Sequence, residues 1–321
     1  MASSDSRRLV SIIVPSFNQG RYIGETLRSC LAQDYRPLEI LVLDGGSSDE
    51  TVAVLRSFDA PELRWWSEPD RGVVDAVNKG LALTRGEIIG IQSSDDVYLP
   101  GAVDAGVEAL AATPALGLVY GDIEHFDAES RITGADVQGD FDLAEYLGRS
   151  LYVPQPAAFF SRAALTAVGG WREEVSYAAD ADFWLRIATR FQVRHLSRTM
   201  ARYRYHAEQR DTQKARMARD WQRTTEDLLA SVVLTSHQRR CARMGIHLAR
   251  YRYTPETEWH DRTRALYRAL LANPGALLDP RFPKRELLPG HTPIWRFLSR
   301  IKRKLGFKPR AAKGRGHTAG T

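Results

Sequence analysis

Short apolar runs alternate with segments of helical periodicity over the first 120 residues of the chain. Apolar runs between polar turns predict buried strands, and the four-residue spacing of Val73, Val77 and Leu81 predicts a helix. Strands are expected at 9–14, 38–43, 63–66, 87–91 and 116–120, and helices at 20–32, 50–58, 73–83 and 100–112. Repeated strand–helix–strand units predict a Rossmann-like, mostly parallel α/β sheet flanked by helices.

Beyond residue 140 the pattern changes to shorter elements. We expect helices at 143–147, 162–168 and 182–189, and strands at 157–160, 192–196 and 200–205. Three helices with many arginines on their outer faces are expected between residues 212 and 272. The chain therefore divides into an α/β domain at 1–210, a helical C-terminal extension at 211–290 and a basic tail at 291–321.

The charge of the chain is concentrated at one end. The 321 residues include 45 Lys and Arg against 39 Asp and Glu, a net charge of +6. No acid occurs after Glu286, whereas Lys and Arg continue to Arg315, so the remainder of the chain is slightly acidic. A body of this kind is not expected to bind nucleic acid, because such binding relies on clustered positive charge.

Cysteine usage and the lengths of the apolar runs predict a cytoplasmic protein. Cys30 and Cys241 are the only cysteines, so neither a disulfide framework nor a zinc-binding spacing is expected. No secretory signal is evident, and no apolar run reaches the roughly 18–20 residues that would span a bilayer.

The basic tail contains an amphipathic pattern. Ile294, Leu298, Ile301 and Leu305 share one face of an expected helix at 294–305, and Arg and Lys occupy the remaining positions. Such a helix can lie on an anionic membrane, which predicts peripheral attachment at the inner face of the plasma membrane. The alternative is a helix that packs its apolar stripe on the protein and exposes its arginines.

The strand expected at 87–91 leads into two adjacent carboxylates, Asp95 and Asp96. Ligand sites of open α/β sheets lie at the carboxyl ends of such strands. Neighbouring carboxylates at this place favour a hard cation such as Mg²⁺ or Mn²⁺. A solvated turn in which an aspartate caps the next helix is the alternative.

The loops after the first two expected strands lead to the same edge of the sheet. Pro15 and Asn18 follow the first strand, and Asp44-Gly45-Gly46 follows the second. A nucleotide can lie there, with Asp44 accepting a hydrogen bond from its base or ribose. A tight turn followed by a helix cap is the alternative for this segment. The GxGxxG fingerprint of dinucleotide sites is absent, which disfavours NAD.

Two long segments carry a family resemblance: VSIIVPSFNQGRYIGETLRSCLAQDYRPLEILVLDGGSSDET and EPDRGVVDAVNKGLALTRGEIIGIQSSDDVYLPGAV. They resemble the N-terminal half of the family 2 glycosyltransferases. The likeness continues through QPAAFF, GGW and YAADADFWLRI and ends near RYRYH, so it covers about residues 9–210. It implies a GT-A fold and transfer of a sugar from a nucleotide diphosphate sugar, with inversion at the anomeric carbon.

The resemblance also implies roles for individual residues. It implies a nucleotide-binding set made of Pro15, Asn18, Asp44, Asp75, Asn78, Lys79 and Asp95. It implies metal binding by Asp95, Asp96 and His206, with Mn²⁺ or Mg²⁺ as the cofactor. The usual first acid of the metal motif aligns with Ser93, so Asp95 is the favoured ligand.

The acceptor hydroxyl must lose a proton as it attacks, so the reaction needs a carboxylate base. The resemblance places this base at Asp180, for which an N-cap of the following helix is the alternative. Gln155, Trp171 and Asp182 are expected in the acceptor site. Asp182 can instead pair with Arg186 at i,i+4, and a core position is the alternative for Trp171.

The sequence therefore predicts a metal-dependent inverting glycosyltransferase of bacterial surface polysaccharide synthesis. We expect UDP in the donor and a glycan or lipid-linked acceptor. A sugar-1-phosphate nucleotidyltransferase is one alternative, disfavoured because the first loop reads PSFNQG and is not a glycine-rich basic loop. A non-catalytic sugar-nucleotide-binding protein is the other.

Overall fold

The computed structural model describes residues 7–149, 151–207, 213–283 and 287. Within these residues nine strands form one sheet, with helices on both of its faces. The strands are β1 (Val10–Ser16), β2 (Leu38–Asp44), β3 (Leu63–Ser67), β4 (Ile88–Ile91), β5 (Val97–Tyr98), β6 (Leu116–Asp127), β7 (Ile132–Asp136), β8 (Ala158–Ser161) and β9 (Gln192–Tyr205). The helices are α1 (Ile23–Leu31), α2 (Thr51–Arg56), α3 (Val73–Leu83), α4 (Ala102–Ala112), α5 (Leu143–Leu147), α6 (Arg162–Val168), α7 (Ala179–Ala188), α8 (Lys214–Ser231), α9 (Ser236–Tyr253) and α10 (Trp259–Ala272).

The sheet has a parallel half and a mixed half. Its strand order is β3-β2-β1-β4-β8-β6-β9-β5, and β7 pairs with β6 outside this path. Strands β1 to β4 are parallel, as the alternating pattern predicts. β8 then runs antiparallel to both β4 and β6, so it lies between two strands that are parallel to each other. The predicted α/β sheet flanked by helices is confirmed, with antiparallel pairings in its second half.

The predicted and observed elements differ where exposed strands depend on distant partners. α3, α5 and α6 have the predicted bounds. β7 was not expected, because its residues are mostly exposed and lack an apolar pattern, and it is held by pairing with β6. The two strands expected at 192–196 and 200–205 are a single strand, β9, which follows β6 in parallel.

Apolar side chains on the two faces of the sheet form separate core clusters. In β1, Ile12 and Val14 enter one cluster and Ile13 the other, as alternation along a strand requires. Trp221 of α8 and Ala242 of α9 join the cluster that contains Ile13. The first two extension helices therefore share a core with the sheet, and the boundary at residue 210 stays a prediction.

Three further predictions concern the cysteines, membrane-spanning helices and the basic tail. Cys30 and Cys241 are buried free thiols, and burial raises the pKa of Cys30 to about 12. Over the described residues, no helix is both long and apolar enough to cross a membrane. The helix expected at 294–305 lies outside the described residues.

Candidate active site

The loops that follow β1 and β2 are tied together at the carboxyl edge of the sheet. Asn18 donates its backbone N–H to Ser47 Oγ at 2.7 Å, and its Oδ1 accepts from Ser48 N at 3.0 Å. Asn18 has a φ of 52°, a left-handed conformation that asparagine tolerates well. Pro15 is buried and pairs in register with Leu43 of β2. The predicted nucleotide loops therefore meet.

Asp44 ends β2 and organises its loop. Its carboxylate is 2% exposed and accepts hydrogen bonds from Ser47 N, Ser47 Oγ and Ser67 Oγ at 2.9, 2.5 and 2.6 Å. Asp44 also lines a cavity of about 350 Å³, together with Trp66 and Lys79. The carboxylate is thus held in one orientation at the wall of a cavity, with both oxygens accepting hydrogen bonds.

Phe17 is a residue of this edge that the sequence reasoning missed. It lies between Pro15 and Asn18, and its ring is 58% exposed. An exposed ring beside a fixed carboxylate offers a stacking surface for a nucleobase. The signal in the sequence was an aromatic residue inside an otherwise polar loop.

The three predicted residues of α3 differ in their contacts. Lys79 Nζ lies 3.2 Å from Glu68 Oε1 and 3.5 Å from Asp75 Oδ2, at the wall of the Asp44 cavity. A hydrogen bond from the Arg71 side chain lowers the pKa of Asp75. Lys79 and Asp75 therefore stand near the predicted nucleotide site as charged groups.

Asn78 has an internal role in the structure. Its Nδ2 donates to Trp171 O at 2.9 Å, and its Oδ1 accepts from Trp171 N at 2.8 Å. Both ends of the amide therefore hold the backbone of the turn before α7. The prediction that Asn78 binds nucleotide stays a prediction beside this internal role.

Replacing Asn78 with alanine is expected to destabilise the protein by about 2 kcal/mol, because two backbone groups of Trp171 lose their partner. Donor affinity should remain within about twofold, because the amide faces the turn. Urea unfolding and nucleotide titration of the same preparation test both expectations. A large loss of donor affinity at unchanged stability would show that Asn78 binds the nucleotide.

Ser93 and Gln155 connect the turn that contains Asp95 and Asp96 to the sheet. Ser93 Oγ donates to Gln155 Oε1 at 3.0 Å, and Gln155 Nε2 donates to Ile91 O. The Gln155 amide therefore contacts the end of β4 and Ser93, and its predicted acceptor role stays a prediction. Ser93 stands where the family motif has an acid, and its hydroxyl serves this internal bond.

Asp95 and His206 form a pair beside this turn. His206 Nε2 lies 2.9 Å from Asp95 Oδ2, and the two side chains are 4% and 16% exposed, respectively. The His206 ring also packs 4.9 Å from the ring of Tyr22. Asp96 is fully buried, and its Oδ1 accepts from Arg204 N at 2.8 Å. Among the predicted metal residues, Asp95 and His206 are therefore together, and Asp96 points into the protein.

Asp95 and His206 alone are too few ligands for the predicted metal ion, so further ligands must come from a bound substrate. In the described part of the chain, no group of three or more His, Cys, Asp or Glu could hold a metal ion. Mg²⁺ is commonly held by one or two carboxylates plus the phosphates of a substrate. The carboxylate of Asp95 with the His206 imidazole suits such a shared site, whereas the inward side chain of Asp96 does not.

Arg204 lies beside the same turn, although it belongs to none of the predicted site sets. Its side chain is 1% exposed, and its Nε donates to Asp95 O at 2.8 Å. One terminal nitrogen donates to Asp127 O at 3.1 Å and the other to Glu25 Oε2 at 2.5 Å. The guanidinium also lies 3.9 Å from the centroid of the Phe126 ring. Arg204 of β9 therefore joins the Asp95 loop to α1 and to the end of β6.

Asp180 lies in the first turn of α7 and not in the loops that follow the parallel strands. The N-cap of this helix is Ala178, so the capping alternative for Asp180 is wrong. Asp180 is half-buried near Tyr146: burial and then the negative charge of Asp180 raise the pKa of Tyr146 well above its usual value. A carboxylate held at a helix start in this way can serve as a base.

Asp182 is bound inside the protein. It is 1% exposed and accepts from Arg172 at 2.5 and 3.1 Å, from Arg186 at 2.8 Å and from Thr224 at 3.2 Å. These bonds occupy both oxygens and confirm the pairing with Arg186, whereas the predicted acceptor role stays a prediction. Trp171 is 9% exposed within the core, which favours its core alternative over an acceptor wall.

Comparisons with known proteins address this architecture directly. The model of the family "Glycosyl transferase family 2" matches residues 11–169. An uncharacterized glycosyltransferase of Mycobacterium tuberculosis is 36% identical over 184 residues, which cover 56% of this chain and 68% of that protein. Chondroitin synthase of Escherichia coli is 27% identical over 255 residues, 79% of this chain and 35% of that protein.

Two solved structures share the fold. Staphylococcus aureus TarS 1–349 in complex with UDP-GlcNAc has a TM-score of 0.62 at 16% identity and covers 86% of this chain and 82% of that one. The mannosyltransferase PcManGT from Pyrobaculum calidifontis, in complex with GDP-Man and Mn²⁺, has a TM-score of 0.61 at 22% identity, with coverages of 94% and 86%. At these identities the likeness establishes the fold.

Proposed function

The chain belongs to glycosyltransferase family 2 and has a GT-A fold, and from this we propose that it transfers a sugar from a nucleotide diphosphate sugar to an acceptor hydroxyl. The acceptor in this proposal is a glycan or a lipid-linked glycan of bacterial surface polysaccharide synthesis. A polysaccharide synthase among the relatives and the nucleotide sugars bound to the structural neighbours support it.

The observation that carries this proposal is that Asp44 and the turn with Asp95 follow the carboxyl ends of two parallel strands of one sheet. β1 lies between β2 and β4, so the ends of all three strands are neighbours. In the proposed donor complex, Asp44 accepts from the base, Phe17 stacks on it, and Pro15, Asn18, Asp75 and Lys79 surround the nucleotide. UDP is the expected nucleotide.

Asp95 and His206 would hold a divalent ion, Mn²⁺ or Mg²⁺, together with the donor phosphates. When bound, that ion neutralises the charge of the departing diphosphate. The protein's own contribution is to hold Asp95 in place, through its contacts with His206 and Arg204.

Asp180 is the proposed base. Its carboxylate takes the proton of the acceptor hydroxyl as the acceptor oxygen bonds to the anomeric carbon. The bond from that carbon to the diphosphate oxygen breaks on the opposite side, which inverts the anomeric configuration. The nucleoside diphosphate leaves with the electron pair of the broken bond.

A thermal-shift screen with nucleotide diphosphates and Mn²⁺ tests the donor site. A ligand present at about 100 times its Kd should stabilise the fold by about 2.7 kcal/mol. Asp95→Asn should need about tenfold more Mn²⁺ for half-maximal donor hydrolysis, because it removes a charged ligand. Asp104→Asn, an equal change at an exposed position of α4, is the matched control.

The proposal fails if no nucleotide diphosphate stabilises the protein. It also fails if donor hydrolysis in Asp95→Asn has the same rate and the same Mn²⁺ dependence as in the wild type. Stabilisation without any turnover would favour a non-catalytic sugar-nucleotide-binding protein.

A further inference from the structure

A basic pocket lies between the start of α8, the end of α9 and α10, away from the Asp44 loop. Its volume is about 650 Å³. Its charged lining residues within the described chain are Lys214, Arg216, Arg219, Arg252, Arg262 and Glu256. Five cations and one acid face one concavity, which we call the arginine pocket.

Most of these cations have no carboxylate to neutralise them. Lys214, Arg216, Arg219 and Arg252 form no ion pair with any described carboxylate. Burial, and then the nearby charge of Arg149, lower the pKa of Arg252. By contrast, Arg172 and Arg186 elsewhere in the chain share the carboxylate of Asp182. Over the described residues, the arginine pocket therefore has an excess of positive charge.

The arginine pocket adjoins the segment that carries Asp180. Arg216 Nη1 donates to Tyr177 Oη at 2.8 Å, and its guanidinium lies 5.2 Å from the centroid of that ring. Tyr177 N in turn donates to Asp220 Oδ2 of α8 at 2.8 Å. Tyr177 is three residues before Asp180. A group held in the pocket would therefore lie on the side of the protein that carries Asp180, the proposed base.

The chemistry of the lining favours a phosphate. The guanidinium fork binds phosphate oxygens in a bidentate manner, and several arginines around one cavity can share a doubly charged group. The donor diphosphate does not account for the pocket, because its proposed place is at the ends of β1, β2 and β4. A solvated basic surface also does not account for it, because the charges line a concavity and not a convex face.

We propose that the arginine pocket binds a phosphate group of the acceptor, so that the acceptor is a phosphate- or diphosphate-bearing glycan or glycolipid. This inference rests on the proposed transferase function and specifies its acceptor class. The phosphate positions the acceptor so that its hydroxyl reaches Asp180, and no covalent change occurs at the phosphate itself.

Calorimetric titration of the full chain with inorganic pyrophosphate, in EDTA, tests the site. The pocket variant is Arg219→Gln/Arg252→Gln. The control is Arg243→Gln/Arg264→Gln, which removes the same charge from exposed positions of α9 and α10 outside the pocket. The pocket variant should bind pyrophosphate at least about tenfold more weakly than wild type, and the control should stay within about twofold. Equal affinities in the two variants, or no binding by the wild type, would overturn the proposal.

Two further measurements distinguish membrane phosphate from acceptor phosphate, and the pocket proposal from the transferase proposal. Vesicles of phosphatidylcholine with phosphatidylglycerol should bind wild type and pocket variant equally. If vesicle binding falls in the pocket variant while pyrophosphate affinity does not, the pocket is a membrane contact and the acceptor proposal is wrong.

Donor hydrolysis with Mn²⁺ should be equal in all three proteins. Its absence from the wild type would reject the transferase function, whereas the pyrophosphate result would still decide whether the pocket binds phosphate.

Discussion

Replacing Asp180 with asparagine is expected to lower the rate constant of sugar transfer by about 10²–10⁴-fold, the usual contribution of a positioned general base. The amide has nearly the same shape as the carboxylate but cannot take the proton of the acceptor hydroxyl. Donor affinity should be unchanged, because the nucleotide edge of the sheet does not include α7. The loss should therefore appear in kcat, measured with the donor and acceptor at saturation.

Glu174→Gln is the matched control for this change. Glu174 is an exposed acid in the 3-10 turn before α7, so its replacement removes one negative charge from the same region. Its kcat should stay within about twofold, the range expected of an exposed surface change. A normal kcat in Asp180→Asn would assign the base to another residue. An equal loss in both variants would point to a general charge effect.

Replacing Arg204 with methionine is expected to destabilise the protein by about 3 kcal/mol or more. Methionine fills much of the volume but leaves Asp95 O without its donor, whereas Asp127 O keeps Ser130 N and the half-exposed Glu25 carboxylate keeps Ser130 Oγ. An unsatisfied buried acceptor costs about 1–3 kcal/mol, and the lost hydrogen bond to a charged group adds about 1.5–3 kcal/mol. Because Arg204 also holds the Asp95 loop, the Mn²⁺ needed for half-maximal donor hydrolysis should rise.

Arg202→Met provides the comparison on the same strand. Arg202 pairs with Glu124 at 2.8 Å, but both side chains are at least 30% exposed. Exposed pairs of this kind contribute about 0–1 kcal/mol, so the variant should unfold close to the wild-type urea midpoint. Equal stabilities of the two variants would show that the buried network of Arg204 contributes little. Reduced stability with an unchanged Mn²⁺ requirement would limit Arg204 to a structural role.

Three of the predicted site residues lie at the ends of elements. Asp44 is the last residue of β2, Asp95 lies in the turn after β4, and Asp180 lies in the first turn of α7. In each case a local pattern places the residue at the end of an element, and parallel strands bring such ends to one edge. The family motifs then supplied an assignment for each position.

Other predicted site residues have distant partners that the sequence pattern does not report. Asn78 was expected at the nucleotide, yet it binds the backbone of Trp171, which is 93 positions away. Asp182 lies on the predicted helix, but Arg172 and Thr224 also occupy its carboxylate. No local spacing reports such a contact, because the same polar side chain can equally face solvent or a ligand.

By itself, the sequence determined the α/β class, the order of the first four strands and helices, and the set of carboxylates from which the active site is drawn. Periodicity suffices for these, because strand and helix faces follow from spacings of two and about 3.6 residues. Only the tertiary structure decided that β8 enters the sheet antiparallel, that Arg204 is buried behind Asp95, and that the arginines of α8 and α9 face one cavity. These features arise from pairings between segments far apart in the chain, where burial and charge depend on which surfaces meet.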